Sequence, residues 1–127
     1  MRYKIYKPNQ IRIRDLDWKN SHKIQDGFII KLYDNHTLVG NCYVDENWIY
    51  NLVINPKFRN KGYGSKLLKI AENEIIKKYK FIILTPQDNN SGLREFYAKN
   101  GFVGFSLTEQ EKHDGEKEYW EMWKQIG

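Results

Sequence analysis

Residues 65–80 place Leu67, Leu68, Ala71, Ile75 and Tyr79 at the spacing of one helix face, with Lys66, Lys69, Asn73, Lys77 and Lys80 opposite. A β-branched and aromatic run, Trp48 to Ile54, precedes this helix, and four wholly apolar residues, Phe81 to Leu84, follow it directly. A short apolar run in that position suits a buried strand. A helix joining two strands of one sheet returns the chain by a right-handed crossover, which makes the second strand parallel to the first. This strand, helix, strand unit is the constraint around which the rest of the chain must be arranged.

Ahead of it, Gln10 to Arg14 alternates apolar and charged residues like a strand, and Phe28 to Tyr33 is a richer one. Turn residues Asp34-Asn35-His36 and Asp45-Glu46-Asn47 separate Phe28 to Tyr33, Thr37 to Val44 and Trp48 to Ile54, which predicts three antiparallel strands in series. Asn55-Pro56 stops that ladder. Behind the crossover, Asp88, Asn89, Asn90 and Ser91 offer N-caps for a second helix, Gly92 to Asn100, with Gly101 as its C′ residue. Phe102 to Leu107 and Glu118 to Lys124 read as two further strands around a turn at His113-Asp114-Gly115. The expected fold class is α/β, a mixed sheet with antiparallel strands first and a parallel crossover in the middle. At 127 residues, the expectation is a single domain over 1–127.

Composition narrows the function classes. Forty per cent hydrophobic and 29% charged residues, with 15% aromatic, describe an ordinary folded chain. The longest apolar run is about four residues against roughly 20 for a membrane helix, and no apolar stretch follows Arg2, Lys4 and Lys7, so an unexported, cytoplasmic protein is expected. A lone cysteine, Cys42, closes no internal disulfide, and His22, His36 and His113 are scattered without zinc spacing, so no metal site is expected. Residues 1–80 carry 16 Lys+Arg against 8 Asp+Glu, whereas 81–127 carry 5 against 8. The basic residues are dispersed through amphipathic segments rather than gathered in a stripe, which argues for solvated faces and one local phosphate site, with no nucleic acid expected.

That phosphate site is Arg59-Asn60-Lys61-Gly62-Tyr63-Gly64-Ser65, between the strand ending at Ile54 and the helix starting near Ser65. Two glycines two apart allow a tight turn and a close backbone approach, while the helix aims unpaired N–H groups and its positive dipole end at the same point. Arg59 and Lys61 add charge. The same glycines would also serve a plain turn, and neither G-x-x-x-x-G-K-[ST] nor G-x-G-x-x-G is present.

The ordered set of an R-x-x-G-x-G loop after a strand ending I-N-P, an amphipathic helix, a short apolar strand and N-x(5)-F-Y-x-x-x-G-F, from Asn90 to Phe102, resembles the GNAT superfamily of N-acetyltransferases. The resemblance runs over about Gln10 to Trp123 and is strongest from Trp48 to Phe105. It implies a central mixed six- to seven-stranded sheet that splays open in the middle, with acetyl-CoA as co-substrate in the opening. Carried over by position, the amides of Asn60, Lys61, Gly62, Tyr63, Gly64 and Ser65 would hold the pyrophosphate with Arg59 beside it. Leu52, Val53 and Ile54 would pair edge to edge with the pantetheine amides and present one N–H to the thioester oxygen. Asn90 would bond the pantetheine, and Tyr97 would be the catalytic general acid to the departing thiolate. Read without the resemblance, Tyr97 is a core aromatic, Asn90 a helix cap, and Cys42 passive packing.

Two departures follow. Many members carry a general-base carboxylate at the position of Tyr50; Asp45, Glu46, Asp88 or a tail acid would have to substitute, or the chain is a catalytically silent CoA-binding regulatory or interaction module. Asp15 to Gly27 is also shorter than the two helices that usually build one wall of the acceptor site; at most one short helix fits, around Trp18 to Ile24. The acceptor side is therefore expected to be more open, or closed by a partner chain such as a second copy in a homodimer. The tail, with Glu109, Glu111, Glu116, Glu118, Tyr119, Trp120, Glu121 and Trp123, either lines that opening and attracts a cationic amine or forms the last strand. The implied reaction is acetyl transfer to a primary amine of a small molecule or a peptide or protein acceptor, with no membrane partner. A small nucleic-acid-binding domain is the third alternative.

Overall fold

A computed structural model describes residues 1–7, 27–86, 91–106 and 120–127 of the chain. In chain order the described elements are β1 (Arg2–Tyr6), β2 (Phe28–Asp34), β3 (Thr37–Asp45), β4 (Trp48–Ile54), α1 (Tyr63–Ile75), β5 (Phe81–Leu84), α2 (Ser91–Lys99), β6 (Val103–Ser106) and β7 (Trp120–Gln125). The expected strand Gln10 to Arg14, the helix Trp18 to Ile24, the caps Asp88, Asn89 and Asn90, and the turn at His113 lie outside the described residues.

Among the described residues, seven strands form one mixed sheet in the order β1-β2-β3-β4-β5-β7-β6. β2, β3 and β4 are antiparallel in series, as the turn residues predict. Their two-residue turns begin at Asn35 and Glu46, both with positive φ, 56° and 54°, a backbone twist that matches the flanking strands. β4 and β5 are the parallel pair of the crossover. The strand beside β2 is Arg2–Tyr6, which sequence reading did not assign. Its alternating Arg2 and Lys4 are what a sheet edge tolerates and a buried strand does not.

Residue alternation sorts the sheet into two faces. Ile30, Leu32, Cys42, Val44, Ile49, Ile82, Leu84 and Met122 share a core with Leu67, Leu68, Ala71 and Ile75 of α1, and with Tyr97 and Phe102 at the α2–β6 corner. α1 is shorter than its apolar pattern. It ends at Ile75, with Ile76 as C-cap, because the chain must turn before β5; the Tyr79 N–H closes that turn on the Ile75 carbonyl at 2.9 Å, and its ring still packs on the core. The α2 end is capped as expected. Gly101 takes φ 93°, and the Phe102 N–H reaches back to the Tyr97 carbonyl at 3.0 Å. On the core-facing side of the sheet, an ion pair ties β7 to α1, Lys124 Nζ to the buried Glu72 Oε1 at 2.6 Å.

Candidate active site

β4 stays beside β5 for only two register pairs, Trp48 with Ile83 and Ile49 with Leu84. Beyond them the strands part, and Tyr50 to Ile54 continue with β3 as their only registered neighbour. The cause is local. Between the pairs Tyr43–Tyr50 and Asn41–Val53, β4 carries one residue more than β3, and Asn51 sits there at φ 50°. A bulge of this kind bends its strand and increases its twist, which turns β4 away from β5. Backbone N–H and C=O groups on the β5 side of Leu52, Val53 and Ile54 then border an opening, an edge on which an extended amide chain can pair.

The loop after β4 is pinned before it curls. Asn55 bonds β3 twice, through its N–H to the Val39 carbonyl at 2.7 Å and its Nδ2 to the Leu38 carbonyl at 3.3 Å, while its Oδ1 accepts from the Lys57 N–H. A single 3-10 turn, Pro56–Phe58, follows. Asn60 and Gly62 then take φ 61° and 85°, an alternation that points successive N–H groups inward as a nest. Gly62 is the N-cap of α1 and carries no side-chain cap, so the first-turn N–H groups at Tyr63, Gly64 and Ser65 have neither helix partners nor a capping oxygen. Those donors are what a phosphate or pyrophosphate needs.

The two glycines divide their work differently from the sequence expectation. A Cβ on Gly62 would meet nothing within 4 Å, so only the left-handed backbone demands glycine there. A Cβ on Gly64 would lie 3.0 Å from the Phe96 ring, so Gly64 lets α2 pack against the start of α1. Arg59 is tied back, its Nε donating to the Ile54 carbonyl at 3.2 Å, which braces the loop against the end of β4. Lys61 lies exposed, 6.0 Å from the Phe58 ring centre, and Phe58 meets Tyr63 edge-on at 5.7 Å.

Together these parts surround a cleft of about 640 Å³. Its walls are Leu52, Val53 and Ile54 of β4, the loop residues Phe58 to Asn60 and Gly62, the α1 residues Tyr63 to Ser65, and Gly92, Leu93 and Phe96 of α2. Of the expected cofactor-binding residues, all but Lys61 and Asn90 line it, and Asn90 is outside the described residues. Phe96, Phe58 and Asn51 were not singled out from sequence. Asn is tolerant of the left-handed region, the only local sign of the bulge.

Tyr97 is not a wall of this cleft. It is 6% exposed, packed edge-on against Phe96 and Phe102 at 5.1 and 5.6 Å, and its carbonyl is held by the helix cap. Burial pushes its phenol above the ordinary tyrosine range, and the nearby Cys42 thiol adds to the shift. Cys42 is the β3 residue facing the bulge, between Asn41 and Tyr43. Burial pushes this thiol up to about 12, so it is an inert core group at neutral pH. Among the described residues no group of three His, Cys, Asp or Glu side chains could hold a metal, and no helix is long and apolar enough to cross a membrane.

Solved structures share this architecture at low sequence identity. The IAA acetyltransferase from Bacillus cereus ATCC 14579 superposes with a TM-score of 0.78 at 13% identity, over 98% of each chain. A GNAT family acetyltransferase from Elizabethkingia anophelis with acetyl-CoA bound gives 0.76 at 16%, over 98% of this chain and 97% of that one. The Bacillus subtilis acetyltransferase in complex with CoA gives 0.70 at 14%, over 85% and 82%. No curated protein matches in sequence. The family model described as "Acetyltransferase (GNAT) domain" matches residues 25–104, from the entry into β2 through β6, which is the segment that builds the bulge, the nest and both helices. The chain belongs to the GNAT acetyltransferase family.

Proposed function

We propose that this chain is an acetyl-CoA-dependent N-acetyltransferase that passes an acetyl group directly to a primary amine of a small molecule or of a peptide or protein. One observation carries the reading: a strand edge freed by the Asn51 bulge runs straight into an amide nest at the start of α1, so a diphosphate and an amide-bearing arm fit one continuous path. Acetyl-CoA supplies an acyl carbon on a thiol leaving group. The N–H groups of Asn60 to Ser65 hold the diphosphate, with Arg59 bracing the loop beside it. Leu52 to Ile54 align the arm by backbone pairing, and an N–H at the bulge faces the acyl oxygen as negative charge builds on it.

Tyr97 holds a proton at Oη beneath the bulge. Its raised pKa keeps the phenol neutral at any physiological pH, which rules it out as the base and makes it a weaker acid; in this reading the neutral hydroxyl is the donor to the departing sulfur. The amine nitrogen bonds to the acyl carbon, the C–S bond breaks, and the proton shed by the amine balances the one taken by the thiolate. This reading places the protein in the cytoplasm, where acetyl-CoA is kept.

Calorimetry with acetyl-CoA and thiol release with a panel of primary amines test it. Binding is expected, with thiol release dependent on amine, and Tyr97→Phe is expected to lower kcat by about 10²- to 10⁴-fold at unchanged acetyl-CoA affinity. No heat with acetyl-CoA removes the reading. Binding without turnover by any amine selects the silent CoA-binding module, which the phenol of Tyr50 in place of a carboxylate favours.

A further inference from the structure

The helices close one face of the opening. Ile49 and Leu84, the last pair before β4 and β5 part, are 4% and 2% exposed beneath α1, so a nucleophile reaches the acyl carbon only from the other face. On that face Trp48 and Tyr50 stack at 6.1 Å with an interplanar angle of 18°, and Tyr43 lies 5.7 Å from Tyr50. Trp48 is in register with Ile83, and Ile83 with Trp123, whose ring is 41% exposed. β7 carries one carboxylate on the same face, Glu121, two residues from Trp123 and one past the Leu84–Met122 pair. That position is one row on toward the splay, level with Tyr50 across β5. Two unsplayed strand spacings would put Glu121 about 10 Å from Tyr50, and the parting of β4 from β5 widens that gap, which admits a small ammonium and its substituent.

Resting on the N-acetyltransferase reading, we propose that the acceptor is a cationic amine with an apolar aromatic body, seated on the Trp48–Tyr50 ring wall with its ammonium at Glu121. Ring faces carry negative quadrupole density and attract an ammonium as well as an apolar group, while a half-buried carboxylate selects the charge. Neither feature alone would choose this class. Aromatic rings without a carboxylate take neutral apolar molecules, and a carboxylate without rings takes any polyamine.

The probes are 2-phenylethylamine, ethanolamine, which keeps the charge and loses the ring, and 2-phenylethanol, which keeps the ring and loses the charge. Each is titrated calorimetrically into protein saturated with CoA. The expected order has 2-phenylethylamine about tenfold or more tighter than either control. Glu121→Gln is expected to bring 2-phenylethylamine down to the level of 2-phenylethanol, and Tyr50→Leu to bring it toward ethanolamine. Glu121 lies near the surface, so its variant reports even where Tyr50→Leu lowers the melting temperature. No binding of 2-phenylethylamine to CoA-loaded protein, or equal affinity for all three probes, overturns the inference while leaving acetyl-CoA binding, and with it the broader reading, intact. Unchanged affinities in Glu121→Gln also overturn it.

Discussion

Lys124 and Glu72 are 52 residues apart and meet at 2.6 Å, with side chains 25% and 7% exposed. At an effective dielectric near 20, two unit charges at that distance attract by about 6 kcal/mol, and taking both from water costs several kcal/mol per ion, so the net worth of the intact pair is small. Removing one partner is another matter. In Lys124→Met the Glu72 carboxylate stays buried on α1 and, among the described residues, keeps Lys69 at 3.6 Å as its remaining ion-pair partner, a lysine 70% exposed and weakly held, so a loss of about 3 kcal/mol is expected. Glu72→Leu strands the more mobile partner. Lys124 is a quarter exposed and can swing its ammonium to water along its stem, so about 1–2 kcal/mol is expected. The double variant Glu72→Leu/Lys124→Met replaces both charges by apolar groups and is expected within about 1 kcal/mol of the parent. Urea unfolding at pH 7 of the four proteins gives the cycle. A loss under about 1 kcal/mol in Lys124→Met, or a double variant as unstable as the two singles summed, refutes the argument that a stranded buried carboxylate is the source of the effect.

The nest and the core thiol give two further tests. Gly62→Ala adds a methyl that touches nothing, so its effect on stability is the left-handed backbone alone, about 1–2 kcal/mol by thermal unfolding, and a loss far above that would place unseen packing at the loop. For Cys42, burial raises the thiol from 9.0 to about 12, so the fold favours the neutral form; that contribution is whole below pH 9 and declines as pH rises toward 12, by about 1.4 kcal/mol per unit. Urea unfolding at pH 8, 9 and 10 in reductant is therefore expected to show the advantage of wild type over Cys42→Ala shrinking with pH, and parallel curves would contradict it. Tyr97, also raised, steepens the alkaline loss above pH 10 in both proteins.

What could be read along the chain was what the backbone settles locally. The two hairpins follow from turn residues at Asn35 and Glu46, α1 from its period, and the crossover from the apolar run after it. The donor loop was legible because amides from consecutive residues carry it, whatever their side chains. Misreadings came where distant partners decide. Arg2–Tyr6 looks too charged for a strand until β2 lies beside it. Gly64 looks like a second ligand-facing glycine until Phe96, 32 positions on, is seen against it.

The acceptor side has no contiguous stretch of its own. Its row joins Trp48 and Tyr50 of β4 to Glu121 and Trp123 of β7, and that neighbourhood exists only because β7 inserts between β5 and β6. A chain-order sheet with β6 beside β5 would put Val103 and Gly104 there and move the carboxylate one strand further off. On the proposed acceptor site, the carboxylate that meets the ammonium comes not from nearby in sequence, at Asp45 or Glu46, but from across the splay. If that is so, substituting Asp45 by Asn should leave amine selectivity as it was, whereas changing Glu121 alters it. The reverse result would return the charge-selecting role to the β3–β4 hairpin and with it the more local reading of this site.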